Sequence, residues 1–223
     1  MKYIITGTSS GLGYCLAEKL ILQGSVAGIS RTIGKSCELP TSAFTHVPFD
    51  LVESSSSEKF EQLIKKLLNF INNSPFTIIL NAAIFYSGDN RYNNDQLRRI
   101  FQINVFSLIN LINAIRNPLL RRVFIVNSIS GLIGQSEQHE YSASKHAIMG
   151  YSRSLIKSAK ESDFDVMVIN PGGIKTELWN DYKFIDTSCL LLPETVADIC
   201  IALLSIKERT FIESMVILPP SDV

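Results

Sequence analysis

No run of about 18 uncharged apolar residues occurs anywhere in the 223-residue chain, so no segment reads as a transmembrane helix. The N-terminus starts like a leader, with Lys2 followed by apolar residues, but Gly7, Gly11, Gly13 and Glu18 break up any signal-type core. Charge excess is also missing. Lys+Arg 21 against Asp+Glu 21 gives a formal net charge of +0, which argues against a partner such as nucleic acid. Cysteine is scarce and scattered, at Cys15, Cys37, Cys189 and Cys200, with no C-x-x-C pair and no nearby histidine cluster. Reduced thiols, a cytoplasmic setting and no metal site are the expectation.

What is present is core-forming material. Hydrophobic residues make up 46% and charged residues 19%, enough to exclude a disordered chain and to suit one compact α/β domain over residues 1–223. Short β-branched runs alternate with longer helical patterns, the signature of a parallel sheet buried on both faces. The runs are Tyr3–Thr6, Val26–Ile29, Phe44–Phe49, Phe76–Leu80, Arg122–Val126, Val166–Ile169 and Phe211–Leu218. A long helix is expected from an N-cap at Asp95 to Pro118, with Leu97, Ile100, Phe101, Leu108, Ile112 and Ile115 on one stripe. A second spans Tyr141–Lys160. Glu53–Ser57 reads as a helix-capping loop, and Arg31–Ser42 is too short and broken for a full crossover helix.

Directly after the first strand comes Thr6-Gly7-Thr8-Ser9-Ser10-Gly11-Leu12-Gly13, then a helical pattern over Tyr14–Gln23. Glycines let a backbone turn tightly and approach a pyrophosphate, whose charge the free N–H groups at a helix N-terminus stabilise. The spacing is not G-x-G-x-x-G. Taken alone, the loop suits either a phosphate cradle or a bare tight turn. Gly7-Thr8-Ser9-Ser10-Gly11 also fits the G-x-S-x-G nucleophile elbow, but it follows the very first strand, with no upstream unit to complete an oxyanion hole.

Tyr141 and Lys145 stand at i and i+4, so on a helix they are neighbours on one face. An ammonium beside a phenol favours the phenolate and makes the tyrosine a candidate general acid/base. Ser128, at the end of the fifth strand, points into the crevice where open α/β sheets bind ligands and can orient a carbonyl oxygen.

Together, T-G-x-x-x-G-x-G and Ser128 with Tyr141-x-x-x-Lys145 resemble the short-chain dehydrogenase/reductases over nearly the whole chain. The resemblance implies a Rossmann-type, doubly wound parallel sheet of seven strands in the order 3-2-1-4-5-6-7, with helices on both faces. It implies that Tyr141 donates a proton to a carbonyl, that Lys145 lowers its pKa and binds the nicotinamide ribose, and that Ser128 holds the substrate oxygen. Asn104 matches the residue supporting a water-linked proton relay. Cofactor contacts are expected from Gly7, Ser9, Ser10, Gly11, Leu12 and Gly13. The N-A-A segment Asn81, Ala82 and Ala83 supports the adenosine ribose, with Ile84 where the family usually has Gly. Pro171, Gly172, Ile174 and Thr176 match the P-G-x-x-x-T segment facing the carboxamide, and Asp50-Leu51 the adenine contact.

At the end of the second strand stand Ser30 and Arg31 rather than an acid. A guanidinium forks onto a 2′-phosphate that a carboxylate would repel, so NADP(H) is expected over NAD(H). Ser30 is expected to add a hydroxyl donor. The walls above the nicotinamide are mostly apolar and suit a small-molecule carbonyl or alcohol. Residues 172–192, with Trp179, Tyr182, Phe184 and Leu190, are expected to form a mobile lid, and His139 to line the pocket. The resemblance further implies a homodimer or homotetramer packed through the helix of Tyr141 and the long helix before it. The short tail ending Ser221-Asp222-Val223 leaves little for a C-terminal interface. The alternative function is a catalytically quiet NADP-binding sensor or interaction protein on the same fold.

Overall fold

The computed structural model describes residues 1–55, 57–86, 92–136, 138–179, 186–207 and 209–220. Seven parallel strands form a single sheet: β1 (Lys2–Thr6), β2 (Ser25–Ser30), β3 (Phe44–Pro48), β4 (Phe76–Leu80), β5 (Leu120–Val126), β6 (Asp165–Pro171) and β7 (Ile212–Ile217). Their order is β3-β2-β1-β4-β5-β6-β7, as expected. Neighbouring side chains on a strand point to opposite faces, and both faces are apolar. Ile4, Ile78, Val123 and Val166 face one core, and Ile5, Ile79, Phe124 and Met167 the other.

Among the described residues six helices cover the two faces. On the Ile4 face pack α2 (Glu58–Ile71), α3 (Asn94–Phe101), α4 (Ser107–Ile115) and α5 (His139–Ala159); on the Ile5 face packs α1 (Gly11–Leu20) together with a sixth, α6 (Pro193–Leu204). In α2 the buried residues Leu63, Leu67 and Ile71 recur every fourth position, so the helix lays one stripe on the sheet. Ser57 caps it by accepting from the Phe60 N–H, as the loop reading expects. The β2–β3 link holds only a short 3₁₀ turn, Gly34–Glu38, in place of a crossover helix.

The expectations for three helices are corrected. The first helix starts at Gly11 rather than Tyr14, because Ser10 is already extended at the N-cap and the glycines belong to the first turn. The N-cap of the long helix is Asn93, not Asp95: its Oδ1 accepts from the Asp95 and Gln96 N–H groups, and Gln96 Oε1 accepts in return from the Asn93 N–H. That helix is also not continuous, for a π-helical turn at Gln102–Phe106 separates α3 from α4. The wider turn shifts the phase of the stripe, leaving Leu97 at the surface while Ile100, Leu108, Leu111, Ile112 and Ile115 stay buried. The Tyr141 helix begins two residues early, at His139. All four cysteines are free thiols, Cys15 and Cys200 buried, Cys37 and Cys189 exposed. Among the described residues no helix is long and apolar enough to cross a membrane.

At the N-terminal edge of the sheet, Arg122 of β5 and Asp165 of β6 sit opposite each other and pair at 2.9 Å, both buried. Arg122 also donates to the Leu204 and Ile206 carbonyls at 2.9 and 3.0 Å, tying down the end of α6, and Arg209 lies 3.8 Å from the same carboxylate. Removing one member of a buried pair strands the other charge. Asp165→Ala is expected to cost about 3–5 kcal/mol in urea unfolding, and Arg122→Met/Asp165→Leu to recover most of that loss.

Candidate active site

The strand order reverses between β1 and β4, and there a crevice opens at the C-terminal ends of the strands. The turn leaving β1 is shaped by two glycines. Gly7 has φ +77°, where a side chain would be strained, and a Cβ on Gly13 would lie 2.0 Å from the Gly7 carbonyl oxygen. Helix α1 can therefore pack directly on the turn. Asn81, at the end of β4, locks the same corner: its Nδ2 donates to the Thr6 carbonyl at 3.0 Å, and its N–H donates to Thr6 Oγ1 at 3.0 Å. The N-terminus of α1 has no side-chain cap and no acid in its first turn, so its N–H groups are left for an anion. A dinucleotide pyrophosphate fits this helix N-terminus in charge and in backbone approach.

Helix α5 brings Tyr141 and Lys145 to the crevice, 9% and 4% exposed. The Ser128 Oγ accepts from the Ser130 N–H at 3.1 Å, which leaves its own proton to favour the Tyr141 phenolate. The Lys145 ammonium lies 5.6 Å from the centre of the Tyr141 ring. Contrary to the lowering expected from Lys145, burial pushes the Tyr141 phenol up to about 12, opposed by the Ser128 hydrogen bond. Burial likewise pushes Lys145 down to about 8. The lysine stands over the ring rather than at the hydroxyl, so desolvation outweighs attraction.

Around this pair the chain closes a cavity of about 450 Å³. Every expected cofactor residue lines it: Gly7, Ser9, Ser10, Gly11, Leu12 and Gly13 from the first turn; Ser30 and Arg31 after β2; Asp50 and Leu51 after β3; Asn81, Ala82 and Ala83 after β4; Pro171, Gly172, Ile174 and Thr176 after β6. Ser128, Tyr141 and Lys145 line it as well. Ile84 enters the wall without a positive φ, so the site tolerates a side chain where the family usually has Gly.

Four expectations change in detail. Asn104 does not line the cavity. It sits buried in the π-helical turn, where its Oδ1 accepts from the Ile84 N–H at 2.8 Å and its Nδ2 donates to the Ile84 carbonyl and to Ser144 Oγ, at 3.0 and 3.2 Å. The Ser30 hydroxyl is not a free donor, since it donates to the Thr32 carbonyl at 2.7 Å and meets His46 Nε2 at 3.1 Å. Asp50 spends one oxygen on the Val52 N–H and holds the other 3.9 Å from Arg99. His139 is exposed outside the cavity, and Gln138 lines it instead. Of the expected lid, Trp179 and Leu190 line the cavity, and the segment is pinned where the Leu191 N–H donates to the Gly173 carbonyl. Tyr182, Phe184 and Ser221–Val223 lie outside the described residues. Glu177, within the expected 172–192 segment, also lines the cavity, and Asn127 is a wall residue that the sequence did not suggest; it directly precedes Ser128, so adjacency to a motif was the available signal.

Residues 2–183 match the family model described as short chain dehydrogenase. The chain belongs to that family. Over 187 residues this short-chain dehydrogenase is 27% identical to 3-oxoacyl-(acyl-carrier-protein) reductase FabG of Chlamydia muridarum, covering 78% of this chain and 74% of the relative. Over 192 residues it is 30% identical to an uncharacterized oxidoreductase, YusZ, of Bacillus subtilis, covering 79% and 66%. Among solved structures, a serine dehydrogenase complexed with NADP+ superposes with TM-score 0.83 at 17% identity, covering 99% of this chain and 96% of that one. A 4-hydroxyisoleucine dehydrogenase complexed with NADH gives 0.80 at 20% identity, covering 98% of each. At such identities the likeness to these structures speaks for the fold.

A lysine held at about 8 instead of its usual 10.5 is taken into the fold at a penalty. The penalty is complete below pH 8, where both folded and unfolded chains carry the proton, and fades as the pH rises toward 10.5. Lys145→Met is therefore expected to stabilise the ligand-free protein by up to about 3 kcal/mol at pH 7, with the difference shrinking by pH 10. Urea unfolding at the two pH values checks this.

Proposed function

We propose that this short-chain dehydrogenase is an NADP(H)-dependent carbonyl reductase acting on a small-molecule carbonyl or alcohol. The observation that carries the reading is that Ser128, held by the Ser130 N–H, and the buried Tyr141 and Lys145 share one cavity wall with the uncapped N-terminus of α1. A reduced nicotinamide bound in this cleft would supply the hydride. Ser128 holds the substrate oxygen by donating to it. As that oxygen gains electron density, the Tyr141 phenol releases its proton to it, and the Lys145 ammonium favours the phenolate left behind. A phenol that keeps its proton up to about 12 is in the donating state at neutral pH, which suits reduction. Both donors and the acceptor of the Asn104 amide are spent on Ile84 and Ser144, so we assign it a positioning role.

Arg31 is the observation behind NADP(H). It is exposed, lines the cavity where β2 ends, and has no carboxylate beside it on that strand end. The relatives named above include one protein bound to NADP+ and one bound to NADH, so the choice rests on this residue. For subunit packing, the exposed Leu97 and Phe106 lie on the α3–α4 side that we place at a homodimer or homotetramer contact.

Titration with NADPH and NADH, followed by nicotinamide fluorescence, is expected to favour NADPH, and Arg31→Ala to weaken NADPH by about 10-fold, or about 1.4 kcal/mol, leaving NADH little changed. Equal binding of the two cofactors would remove Arg31 from this role. Tyr141→Phe is expected to lower turnover roughly 10²–10⁴-fold while still binding NADPH, whereas a cofactor sensor would show no turnover to lose. The reductase rate is further expected to be flat below pH 8 and to decline above it as Lys145 loses its proton. Lys145→Arg, which stays protonated, should extend the plateau beyond pH 9.

A further inference from the structure

We propose, resting on the reductase reading, that Phe85 and Trp179 form an aromatic wall that selects uncharged aldehydes and ketones carrying an aryl group on the carbonyl carbon. Three rings run in sequence along one side of the cavity. Phe85 meets Tyr141 edge-on with centroids 5.2 Å apart and Trp179 at 5.9 Å, so the surface beginning at the proton donor continues as hydrocarbon. A planar ring beside a carbonyl placed at Ser128 and Tyr141 has this cavity wall to pack against.

The wall is built in place. Phe85 directly follows Ile84, whose N–H and C=O are both held by Asn104. Trp179 closes the short turn Glu177–Trp179, and its indole N–H is spent on the Ile174 carbonyl at 2.7 Å. A Cβ on Gly173 would come within 2.5 Å of Leu190 Cδ2 and 3.4 Å of Trp179 Cζ2, so the absent side chain lets Leu190 and the indole close on the cavity.

Charge separates the candidates further. Among the described residues lining the cavity, the charged ones are Arg31 and Asp50 at the ends of β2 and β3, Lys145 beside Tyr141, and Glu177 two residues before Trp179. A carboxylate or phosphate on the substrate ring would lose water against the apolar Phe85 and Trp179 side of the cavity, and the Glu177 carboxylate is turned to Lys35, 3.8 Å away.

The test has two independent readouts. Benzaldehyde, cyclohexanecarbaldehyde and 4-carboxybenzaldehyde are compared by kcat/KM for NADPH oxidation. Acetophenone is titrated against the fluorescence of Trp179, the single tryptophan of the chain, with NADP+ bound. Expected are saturable quenching, a preference of at least 10-fold for benzaldehyde over each of the other two, and a several-fold loss of the benzaldehyde to cyclohexanecarbaldehyde ratio in Phe85→Leu. That variant keeps an apolar side chain of similar bulk, and circular dichroism with NADPH binding establishes that it is folded. Equal use of 4-carboxybenzaldehyde, or an unchanged ratio in Phe85→Leu, overturns the wall. Turnover of the aldehydes without saturable quenching overturns the wall and leaves the reductase reading intact. Saturable quenching, weakened by Phe85→Leu, with no aldehyde reduced does the reverse.

Discussion

Taking a lysine ammonium out of water beside a phenol is unfavourable by several kcal/mol unless the surrounding fold over-determines its position. Lys145 is 4% exposed, and burial drags its pKa down to about 8 while pushing Tyr141 up to about 12. The offset comes from the helix that carries them. Beyond the crevice α5 buries Ile148, Met149, Leu155, Ile156 and Ala159 against the sheet, and each fully buried large apolar side chain contributes about 1.5–3 kcal/mol. About three turns of ordinary core packing thus hold two residues where water would not leave them.

The position of that helix is in turn fixed by a chain of polar contacts. Ser144 Oγ donates to the Tyr141 carbonyl at 2.7 Å and accepts from Asn104, which clasps both backbone groups of Ile84. The π-helical turn at Gln102–Phe106 is what lets an asparagine from the α3–α4 side reach both the β4 loop and α5. Such turns break the regular i−4 ladder and persist where something is gained from the altered direction. Here the gain is that the residue before Phe85 and the helix of Tyr141 are referenced to one side chain.

The strands were legible because a parallel sheet covered on both faces demands β-branched runs, and the seven runs of the sequence match the seven strands within two residues at either end. The crevice residues were legible for a related reason. Glycines, a strand-end serine and a Tyr-x-x-x-Lys pair each satisfy a local geometric need, and the topology brings strand ends together. What escaped was set by contacts between distant segments. A phase shift inside an apolar helix has no signature in composition, so Leu97 was expected on the buried stripe. The capping residue was misplaced because Asn93 and Asp95 are equally good caps until Gln96 chooses between them. Ser30 reads as a free hydroxyl only as long as Thr32 and His46 are out of sight.

The same logic orders the charges of the crevice. A cleft that accommodates a long anionic molecule at one end and neutral chemistry at the other needs its cations segregated, since a stray guanidinium near the reacting carbonyl would attract anions in place of substrate. Arg31 stands where β2 ends, exposed and able to meet an anion with little desolvation of its own, whereas Lys145 is buried and reaches the cavity beside Tyr141. Between them the N-terminus of α1 offers backbone dipoles, which attract anionic groups without adding a full charge. Past Tyr141 the wall turns aromatic, and the acid of Glu177, two residues before Trp179, is turned to Lys35 at 3.8 Å. Discrimination at this end would come from the cost of stripping water from an ion, and a hydrophobic wall imposes that cost without needing any group that recognises the wrong substrate.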